Sequence, residues 1–478
     1  MAQRTKIVCT MGPSTESDDV LRKIIQSGMR VARFNFSHGT HDYHRQGVER
    51  VKRISSELGI VVATMADTKG PEIRTRKNKD GVGVRFEPGE EIIVTARDVL
   101  TEPGLIALDY ESLYKDVSAG SRIFVDDGLI ELAVTGVEGT DIHCRVANGG
   151  LVTEHKGVNV PGVSLGLPPV TDHDKDDIRF ACEIGMDAVA VSFVTDDKAP
   201  KQVRELCDAC GRDDMFIISK IESALAIQHF DDILAFSDGI MVARGDLGVE
   251  IAPAEIPHVQ KQIVSACNRS FKPVITATQM LESMTHNPRP TRAEVTDVAN
   301  AIYDGTDCVM LSGETAAGSY PVEAVRMMAD VCINAERYHE ERSDFHAQPG
   351  TNVVSTATAY SAVSLASRVG AVALLCPTFS GRTACIMSSL RPKLPIIVTT
   401  PFETTIKHTC FMWGVTGLVT TETEGLSRTF IGALKACTEA GLVQSNDIVV
   451  ITAGDPLTSP LSYDLDTASN VCVVAQAL

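Results

Sequence analysis

Two short apolar runs, at residues 216–218 and 240–242, are each followed closely by charged side chains. Runs of this kind are typical of buried parallel strands, and apolar residues at helical spacing lie between them. Because the carboxyl ends of successive parallel strands share one edge, the charged side chains are expected to lie together. These side chains are Lys220, Glu222, Arg244 and Asp246.

The residue types in this set point to a particular chemistry. Two carboxylates on rigid strand ends, with room for water and substrate oxygens, suit Mg²⁺ better than a closed protein cage does. A lysine beside them suits an anionic substrate whose charge must be spread during reaction. A surface salt bridge between adjacent loops is the alternative, and this stretch alone does not decide between the two.

Composition limits the classes of function. The chain has 478 residues and a formal net charge of −18, which argues against a general nucleic-acid or anionic-membrane binder. Its apolar runs are too short to span a membrane, and its polar start predicts no signal peptide. Thirteen scattered cysteines indicate reduced thiols in the cytoplasm. Cys207 and Cys210 form one C-x-x-C without a second pair, so no metal is expected there.

A strand–helix rhythm covers residues 1–70 and resumes over 169–342. It predicts eight strands and therefore a (β/α)₈ barrel. Thr291 and Glu294 form a capping-box pattern that predicts a helix start, and Pro321 fits the first turn of another helix. The predicted strands are 7–9, 31–34, 61–66, 188–193, 216–218, 240–242, 273–278 and 308–312.

The two remaining parts of the chain predict two further domains. Residues 71–168 alternate polar and apolar positions between turn signals, which predicts an all-β domain inserted after the third barrel strand. The polar stretch 339–352 reads as a boundary loop. Residues 343–478 return to strand–helix alternation and predict a separate α/β domain with an open sheet. Its strands are expected near 371–376, 395–400, 415–420, 447–452 and 471–475.

The polar residues at the predicted barrel exits combine hard oxygen ligands, cations and hydroxyls. Spacing gives no cysteine–histidine pair and no Ser-His-Asp arrangement. The set favours metal-assisted handling of a phosphate or carboxylate over acyl transfer. Three nearby histidines, His38, His41 and His44, are expected to be solvated. The exit residues are Arg33, Asn35, Ser37, Asp67, Thr68, Ser192, Lys220, Glu222, Arg244, Asp246, Thr278, Ser312 and Glu314.

Six motifs resemble the pyruvate kinase family, and the likeness extends over essentially the whole chain. It implies transfer of a phosphoryl group from phosphoenolpyruvate to ADP, giving pyruvate and ATP, by a homotetramer. The inserted domain would then be a lid that closes over the nucleotide. The motifs are residues 33–39, RFNFSHG; 67–74, DTKGPEIR; 218–222, ISKIE; 241–248, MVARGDLG; 277–284, ATQMLESM; and 310–315, MLSGET.

The resemblance also implies residue roles. Mg²⁺ or Mn²⁺ would be held by Glu222 and Asp246. The catalytic residues would be Lys220, Arg33 and Thr278, with Lys220 neutralising charge on the phosphoryl group in flight. Substrate contacts would come from Arg33, Gly245, Asp246 and Thr278. The K⁺ site would be Asn35, Ser37, Asp67 and Thr68, and the nucleotide contacts would be Asn35, His38, Arg74 and Lys156.

A phosphorylated effector has one plausible site in the C-terminal domain. Hydroxyls, a glycine and an arginine at a predicted helix start can cradle a phosphate, although the local sequence slightly favours an ordinary N-cap. Downstream, Asp464 and Asp466 stand where sugar-bisphosphate-activated members have a glycine-rich loop. Their charge argues against fructose 1,6-bisphosphate. The cradle residues are Thr378, Ser380, Gly381, Arg382 and Thr383.

Two other functions compete with the kinase. A metal-dependent barrel lyase or aldolase could stabilise a pyruvate enolate with the same carboxylate pair, but it would not need the inserted domain, Lys156 or the K⁺ residues. A metabolite-sensing binding protein could keep the fold, but it would tolerate loss of Lys220 or Glu222, and both are present.

Overall fold

The computed structural model describes residues 3–338, 353–421, 425–454 and 469–478. The predicted boundary loop at 339–352 lies outside the described residues. So do Asp464 and Asp466, on which the argument against a bisphosphate effector depends. Within the described ranges, no helix is long and apolar enough to cross a membrane.

The first part of the chain forms three parallel strands and two helices. The second helix, α2 (His41–Leu58), begins where the Thr40 hydroxyl accepts a hydrogen bond from the backbone of Tyr43, and it ends at Gly59, whose φ of 62° is left-handed. The elements are β1 (Lys6–Thr10), α1 (Asp18–Ser27), β2 (Met29–Asn35), α2 (His41–Leu58) and β3 (Ala63–Asp67).

The insertion follows β3 and is almost entirely β. Its core holds apolar side chains from alternate strand positions, such as Ile92, Val94, Ile123 and Leu132. Its strands are β4 (Ile73–Arg74), β5 (Val84–Phe86), β6 (Glu91–Thr95), β7 (Leu105–Ala107), β8 (Arg122–Val125), β9 (Ile130–Glu138), β10 (Asp141–Asn148), β11 (Gly150–Val152) and β12 (Gly157–Asn159), with one short helix, α3 (Leu113–Asp116). Seven strands form one sheet in the order β4-β12-β8-β9-β10-β6-β7, and β11 pairs with β5.

The barrel then resumes. Its strands are β13 (Ala188–Val191), β14 (Phe216–Ile221), β15 (Gly239–Ala243), β16 (Val274–Ala277) and β17 (Cys308–Leu311). Its helices are α4 (Asp172–Glu183), α5 (Lys198–Ala209), α6 (Ala224–Gln228), α7 (Phe230–Ala235), α8 (Arg244–Glu250), α9 (Ile256–Arg269), α10 (Arg292–Asp304), α11 (Gly313–Ala316) and α12 (Pro321–Glu336). Eight parallel strands close in the order β1-β17-β16-β15-β14-β13-β3-β2, which confirms the predicted barrel.

The barrel interior is packed with side chains rather than open. Residues such as Val8, Met65, Met241 and Met310 are buried together in it. Phe411, from the C-terminal part of the chain, joins the same cluster and stacks on Phe216 with ring centroids 5.2 Å apart. Since Phe216 is the first residue of β14, Phe411 closes the amino-terminal end of the barrel and leaves the carboxyl end for chemistry.

The C-terminal part forms an open five-stranded sheet in the order β20-β19-β18-β21-β22, in which β22 alone is antiparallel to its neighbour. This confirms the predicted open-sheet α/β domain. Its elements are α13 (Val353–Val369), β18 (Ala373–Pro377), α14 (Arg382–Ser389), β19 (Ile396–Thr400), α15 (Glu403–His408), β20 (Val415–Val419), α16 (Leu426–Glu439), β21 (Ile448–Ala453) and β22 (Val471–Gln476).

Candidate active site

Asp67 is the anionic centre of the barrel's carboxyl face. It is the last residue of β3, fully buried, and paired in register with Asn35 at the end of β2. One oxygen, Oδ2, lies 2.5 Å from Arg33 Nε, and the other, Oδ1, lies 3.2 Å from Lys220 Nζ. Burial works to raise its pKa, but the two cations outweigh burial and hold the pKa of Asp67 below its ordinary value.

Lys220 links this centre to the next strand exit. Its ammonium donates to Ser192 Oγ at 2.7 Å and lies 2.8 Å from Glu222 Oε1. Burial alone would lower its pKa, yet Asp67 and Glu222 together raise the pKa of Lys220 above the ordinary lysine value. The side chain is therefore a fixed positive charge, held by partners on three strand exits, and suited to an incoming anion.

Glu222 and Asp246 form a close carboxylate pair. Glu222 Oε2 accepts a hydrogen bond from the backbone of Phe193 at 2.6 Å. Burial raises the pKa of Glu222 to about 7, with Asp246 adding to the rise and Lys220 opposing it. Burial also raises the pKa of Asp246, with Asp127 as a further cause. Two buried carboxylates with one shared lysine are short of positive charge, so this donor set fits a hard divalent cation.

Thr278 and Gly245 stand just after the ends of β16 and β15. Thr278 has a φ of 64°, uncommon for a β-branched residue, and its Oγ1 accepts a hydrogen bond from Gly245 N at 2.7 Å. The same hydroxyl donates to Ala277 O at 2.7 Å. Strained backbone at a strand exit is common where a side chain must be aimed at a ligand.

Arg244 does not face the same space as Lys220. It is buried, with a hydrogen bond of 2.8 Å from its guanidinium to Thr278 O and an ion pair of 2.7 Å to Asp297. It therefore supports the backbone on which Thr278 stands. Glu314 is likewise internal, accepting from the backbone of Leu281 and of Ser312.

A cleft of about 560 Å³ lies between the insertion and the barrel face. Arg74 and Lys156 line it from the insertion, and Asp246 lines it from the barrel. Arg74 Nη2 lies 2.6 Å from Glu72, and Lys156 Nζ lies 2.9 Å from Asp126. Both cations therefore face the cleft while held by carboxylates that an anionic ligand would have to outcompete.

Asp127 belongs to the cleft although the sequence pattern does not predict it, because 126–128 (DDG) indicates only a turn. Asp126 and Asp127 both have left-handed φ values, of 57° and 53°. This geometry turns Asp127 into the cleft, where its charge raises the pKa of Asp246. The only sequence signal that could have placed Asp127 in the cleft is the pair of aspartates before a glycine, and an ordinary turn uses the same residues.

One of the three neighbouring histidines differs from expectation, because His44 is buried whereas His38 and His41 are exposed. The prediction that His44 is solvated is wrong: it is 5% exposed, packs against Phe36 and hydrogen-bonds His38 O at 2.7 Å through Nε2. It faces inward because it lies on the core side of α2, together with Val48 and Val51. His38 is exposed and is not among the residues that line the cleft.

The predicted effector residues run from the end of β18 into the first turn of α14, in the C-terminal domain. Thr378 Oγ1 accepts from Gly381 N at 3.1 Å, and Ser380 Oγ accepts from Arg382 N at 3.4 Å, so both hydroxyls act as local caps. Thr383 is buried and bonded to Ser469. Arg382 is exposed and stays available to a ligand.

Two family models match the chain. One is described as "Pyruvate kinase, barrel domain" and matches residues 2–325; the other is described as "Pyruvate kinase, alpha/beta domain" and matches residues 356–465.

Individual relatives agree with these matches. A protein of Staphylococcus aureus named pyruvate kinase is 43% identical over 459 residues, covering 95% of this chain and 78% of its own. One of Staphylococcus saprophyticus, with the same name, is 44% identical over 462 residues, with the same two coverages. A crystal structure of a pyruvate kinase from Cryptosporidium parvum superposes with a TM-score of 0.91 at 36% identity, covering all of this chain and 96% of that one.

Proposed function

Because the chain belongs to the pyruvate kinase family, we propose that the cluster around Lys220 is the place where its reaction occurs. The chain is a phosphotransferase that uses phosphoenolpyruvate and ADP and forms pyruvate and ATP. The lyase alternative is not favoured, because the relatives that match nearly the whole chain are named as kinases. One observation carries the assignment of the site: a buried lysine bridges Asp67 and the Glu222–Asp246 pair.

The family typically uses a divalent metal, and we propose that Glu222 and Asp246 hold Mg²⁺ or Mn²⁺. The support is the carboxylate pair itself, whose burial and mutual repulsion leave an excess of negative charge. When bound, the ion would neutralise substrate oxygens and fix their position. Gly245 N and the Thr278 hydroxyl, which are hydrogen-bonded to each other, would position the carboxylate or enolate end of the substrate.

Phosphoryl transfer requires alignment and charge neutralisation more than covalent help from the protein. Lys220 and Arg33 supply the charge, and each is held by Asp67 at a fixed distance. This arrangement allows both cations to face a phosphoryl group without first moving to meet it. Thr278 would complete the set of reacting groups.

The co-substrate nucleotide would lie in the cleft, between Arg74 and Lys156 on the insertion and the metal pair on the barrel. Asn35 and His38 are further proposed nucleotide contacts. His38 does not line the cleft, so the nucleotide would have to extend beyond the cleft to reach it. Closure of the insertion over the nucleotide would exclude water from the reacting phosphate. We propose K⁺ as a second cation, held by residues at the ends of the paired strands β2 and β3: Asn35, Ser37, Asp67 and Thr68.

Several properties of the whole molecule are also proposals. We divide the chain into a barrel at 1–70 and 169–342, a lid at 71–168 and a C-terminal domain at 343–478, supported by largely separate apolar cores. We propose a cytoplasmic homotetramer that is regulated by a phosphorylated effector at Thr378–Thr383. The cytoplasmic location is consistent with the free state of the cysteines in the described ranges.

A coupled assay tests the assignment of function and site together. Phosphoenolpyruvate, ADP and Mg²⁺ should give pyruvate at a rate that collapses when Mg²⁺ is chelated. The double variant Glu222→Gln/Asp246→Asn should lose turnover at all attainable Mg²⁺ concentrations. Turnover close to that of the wild type in this variant would place the metal elsewhere. A pyruvate-forming reaction that needs no ADP would support the lyase instead.

A further inference from the structure

We propose that His41, His173 and Asp177 form a second metal site, for a divalent transition-metal ion of the Zn²⁺ class, apart from the catalytic carboxylates. His41 is the first residue of α2. His173 and Asp177 are four residues apart on α4, so their side chains share one face of that helix. The site would bridge α2 and α4.

Both histidines approach the carboxylate of Asp177, each at a different oxygen. His41 Nε2 lies 2.7 Å from Asp177 Oδ1, and His173 Nδ1 lies 3.0 Å from Asp177 Oδ2. The first contact is a hydrogen bond, whereas Oδ2 accepts no hydrogen bond from any residue that the structure describes. The nitrogen of His173 and Oδ2 are thus near each other without being aligned to bond to each other.

The burial of Asp177 makes this oxygen unusual. Asp177 is only 3% exposed, and a buried carboxylate oxygen without a donor is costly. Within the part of the chain that the structure describes, its ion-pair partners are the two histidines, with no lysine or arginine among them. A bound cation would supply the charge that this carboxylate lacks.

The surrounding residues hold the ligands in place and leave access from solvent. The His41 ring stacks on Phe180, with centroids 4.1 Å apart and planes 2° apart, which fixes the direction of Nε2. The side chains of His41 and His173 are 46% and 64% exposed, so a hydrated ion can reach them. Imidazole nitrogens combined with carboxylate oxygen suit Zn²⁺, Co²⁺ or Ni²⁺ rather than Mg²⁺.

Asp174 extends the site toward the insertion. One of its carboxylate oxygens lies within 4.8 Å of the ligand atoms of His173 and Asp177. Its Oδ1 accepts a hydrogen bond from Gly70 N at 2.9 Å, at the point where the chain leaves the barrel. Its Oδ2 accepts from Thr171, where the chain returns. An ion at this cluster would therefore stabilise both connections to the insertion.

Cobalt titration in the Glu222→Gln/Asp246→Asn background tests the proposal, because that background removes the catalytic carboxylates. We expect one Co²⁺ per chain, with the intense visible absorption of a four-coordinate ion, displaced by Zn²⁺. Adding His173→Ala should weaken Co²⁺ binding at least about tenfold and abolish the absorption. His258→Ala, which changes an exposed histidine on α9, is the matched control and should alter neither.

Thermal unfolding with and without Zn²⁺ gives a second readout. The unfolding temperature should rise with Zn²⁺ in the background protein and not after His173→Ala. Since the His173 side chain is mostly exposed, this variant should fold even if Asp177→Asn does not. Failure of the background protein to bind Co²⁺, or identical binding after His173→Ala, would overturn the proposal. Neither result would bear on the kinase reaction.

Discussion

Lys220 Nζ lies 2.8 Å from Glu222 Oε1, and both residues are almost completely removed from solvent. They stand two positions apart at the end of β14, so the same strand delivers a fixed cation and a metal-type ligand to one point. A buried ion pair of this kind is weak evidence for stability, because desolvation offsets much of the attraction. Its placement at the carboxyl end of a barrel strand favours a chemical role.

Replacing Lys220 by alanine should abolish most phosphoryl transfer while leaving metal binding intact. The loss of a preorganised charge of this kind costs roughly 10²–10³ in rate or more. Metal affinity should be kept or increased, since without the Lys220 ammonium the negative charge of Glu222 and Asp246 is no longer partly compensated. Turnover is measured by the coupled assay, and Mn²⁺ affinity by electron paramagnetic resonance of the free ion.

Lys23→Ala is the control for that variant. Lys23 lies on α1, is exposed, and pairs with Asp19 one turn away at 2.6 Å. It should retain wild-type turnover. If Lys220→Ala turns over at a rate near that of Lys23→Ala, Lys220 is not the group that neutralises the phosphoryl charge.

Much of the fold could be predicted from sequence because the barrel strands are short, continuous apolar runs flanked by helical periods. In the insertion, alternating runs at 82–86, 91–96, 121–125, 129–134 and 141–146 predict strands, and they correspond to β5, β6, β8, β9 and β10. The insertion strands that the sequence pattern does not predict, β4, β7, β11 and β12, have only two or three residues each. Two or three residues do not define a period, so these strands exist only through their partners.

Side-chain direction is harder to predict than strand position. Arg244 and Lys220 look equivalent in sequence, since each follows an apolar run. The structure turns Arg244 toward Asp297, which lies 53 residues later on α10. Asp127 reaches the cleft only because two left-handed residues reverse the chain. Both outcomes depend on long-range packing, which a local pattern does not contain.

Arg382→Glu should abolish activation by a phosphorylated effector while basal activity survives. Arg382 is the first residue of α14, follows Gly381 with a left-handed φ of 78°, and is exposed. Reversing its charge would repel a phosphate at the helix start. Rates are compared with AMP, sugar monophosphates and fructose 1,6-bisphosphate added in turn.

The control for charge reversal is Arg368→Glu, an exposed arginine in the last turn of α13. It should keep any activation that the wild type shows. If an effector activates Arg382→Glu as strongly as this control, its site lies elsewhere in the molecule.

Lys6 makes stability depend on pH in the alkaline range. Its ammonium donates to Val415 O at 2.6 Å, and burial lowers its pKa from 10.5 to about 8. Below pH 8 the group is charged in both folded and unfolded chains, so the folded state bears the full desolvation cost, on the order of 3 kcal/mol. Between pH 8 and 10.5 the unfolded chain holds more protons, so this cost falls as pH rises.

Lys6→Met removes the charge at every pH. The unfolding temperature of Lys6→Met minus that of the wild type should therefore be largest near pH 7 and should decline toward pH 10. Differential scanning calorimetry of both proteins, in matched buffers, gives the difference directly and cancels other titrating groups. A difference that stays constant from pH 7 to pH 10 would mean that Lys6 titrates alike in both states.

Activity should depend on K⁺, and substitutions at Glu72 test whether the charge of this residue is the reason. Asn35, Ser37, Asp67 and Thr68 offer oxygens from two paired strand ends beside the proposed phosphate position. Glu72 lines the adjoining cleft and is paired with Arg74 at 2.6 Å. Its carboxylate adds negative potential to a site that must accept an anion, so a mobile cation is needed to offset it. Initial rates in tetramethylammonium buffer should therefore rise when KCl is added at constant ionic strength.

Two substitutions at Glu72 separate the charge effect from loss of the ion pair with Arg74. Glu72→Lys places an ammonium where the carboxylate stood and should weaken or remove the K⁺ requirement. Glu72→Gln also breaks the pair with Arg74 but brings no positive charge, so its K⁺ requirement should persist. Equal wild-type rates with and without KCl would refute K⁺ dependence. A Glu72→Lys enzyme as K⁺-dependent as Glu72→Gln would show that Glu72 serves only to hold Arg74, because charge at this position would then have no influence on the cation site.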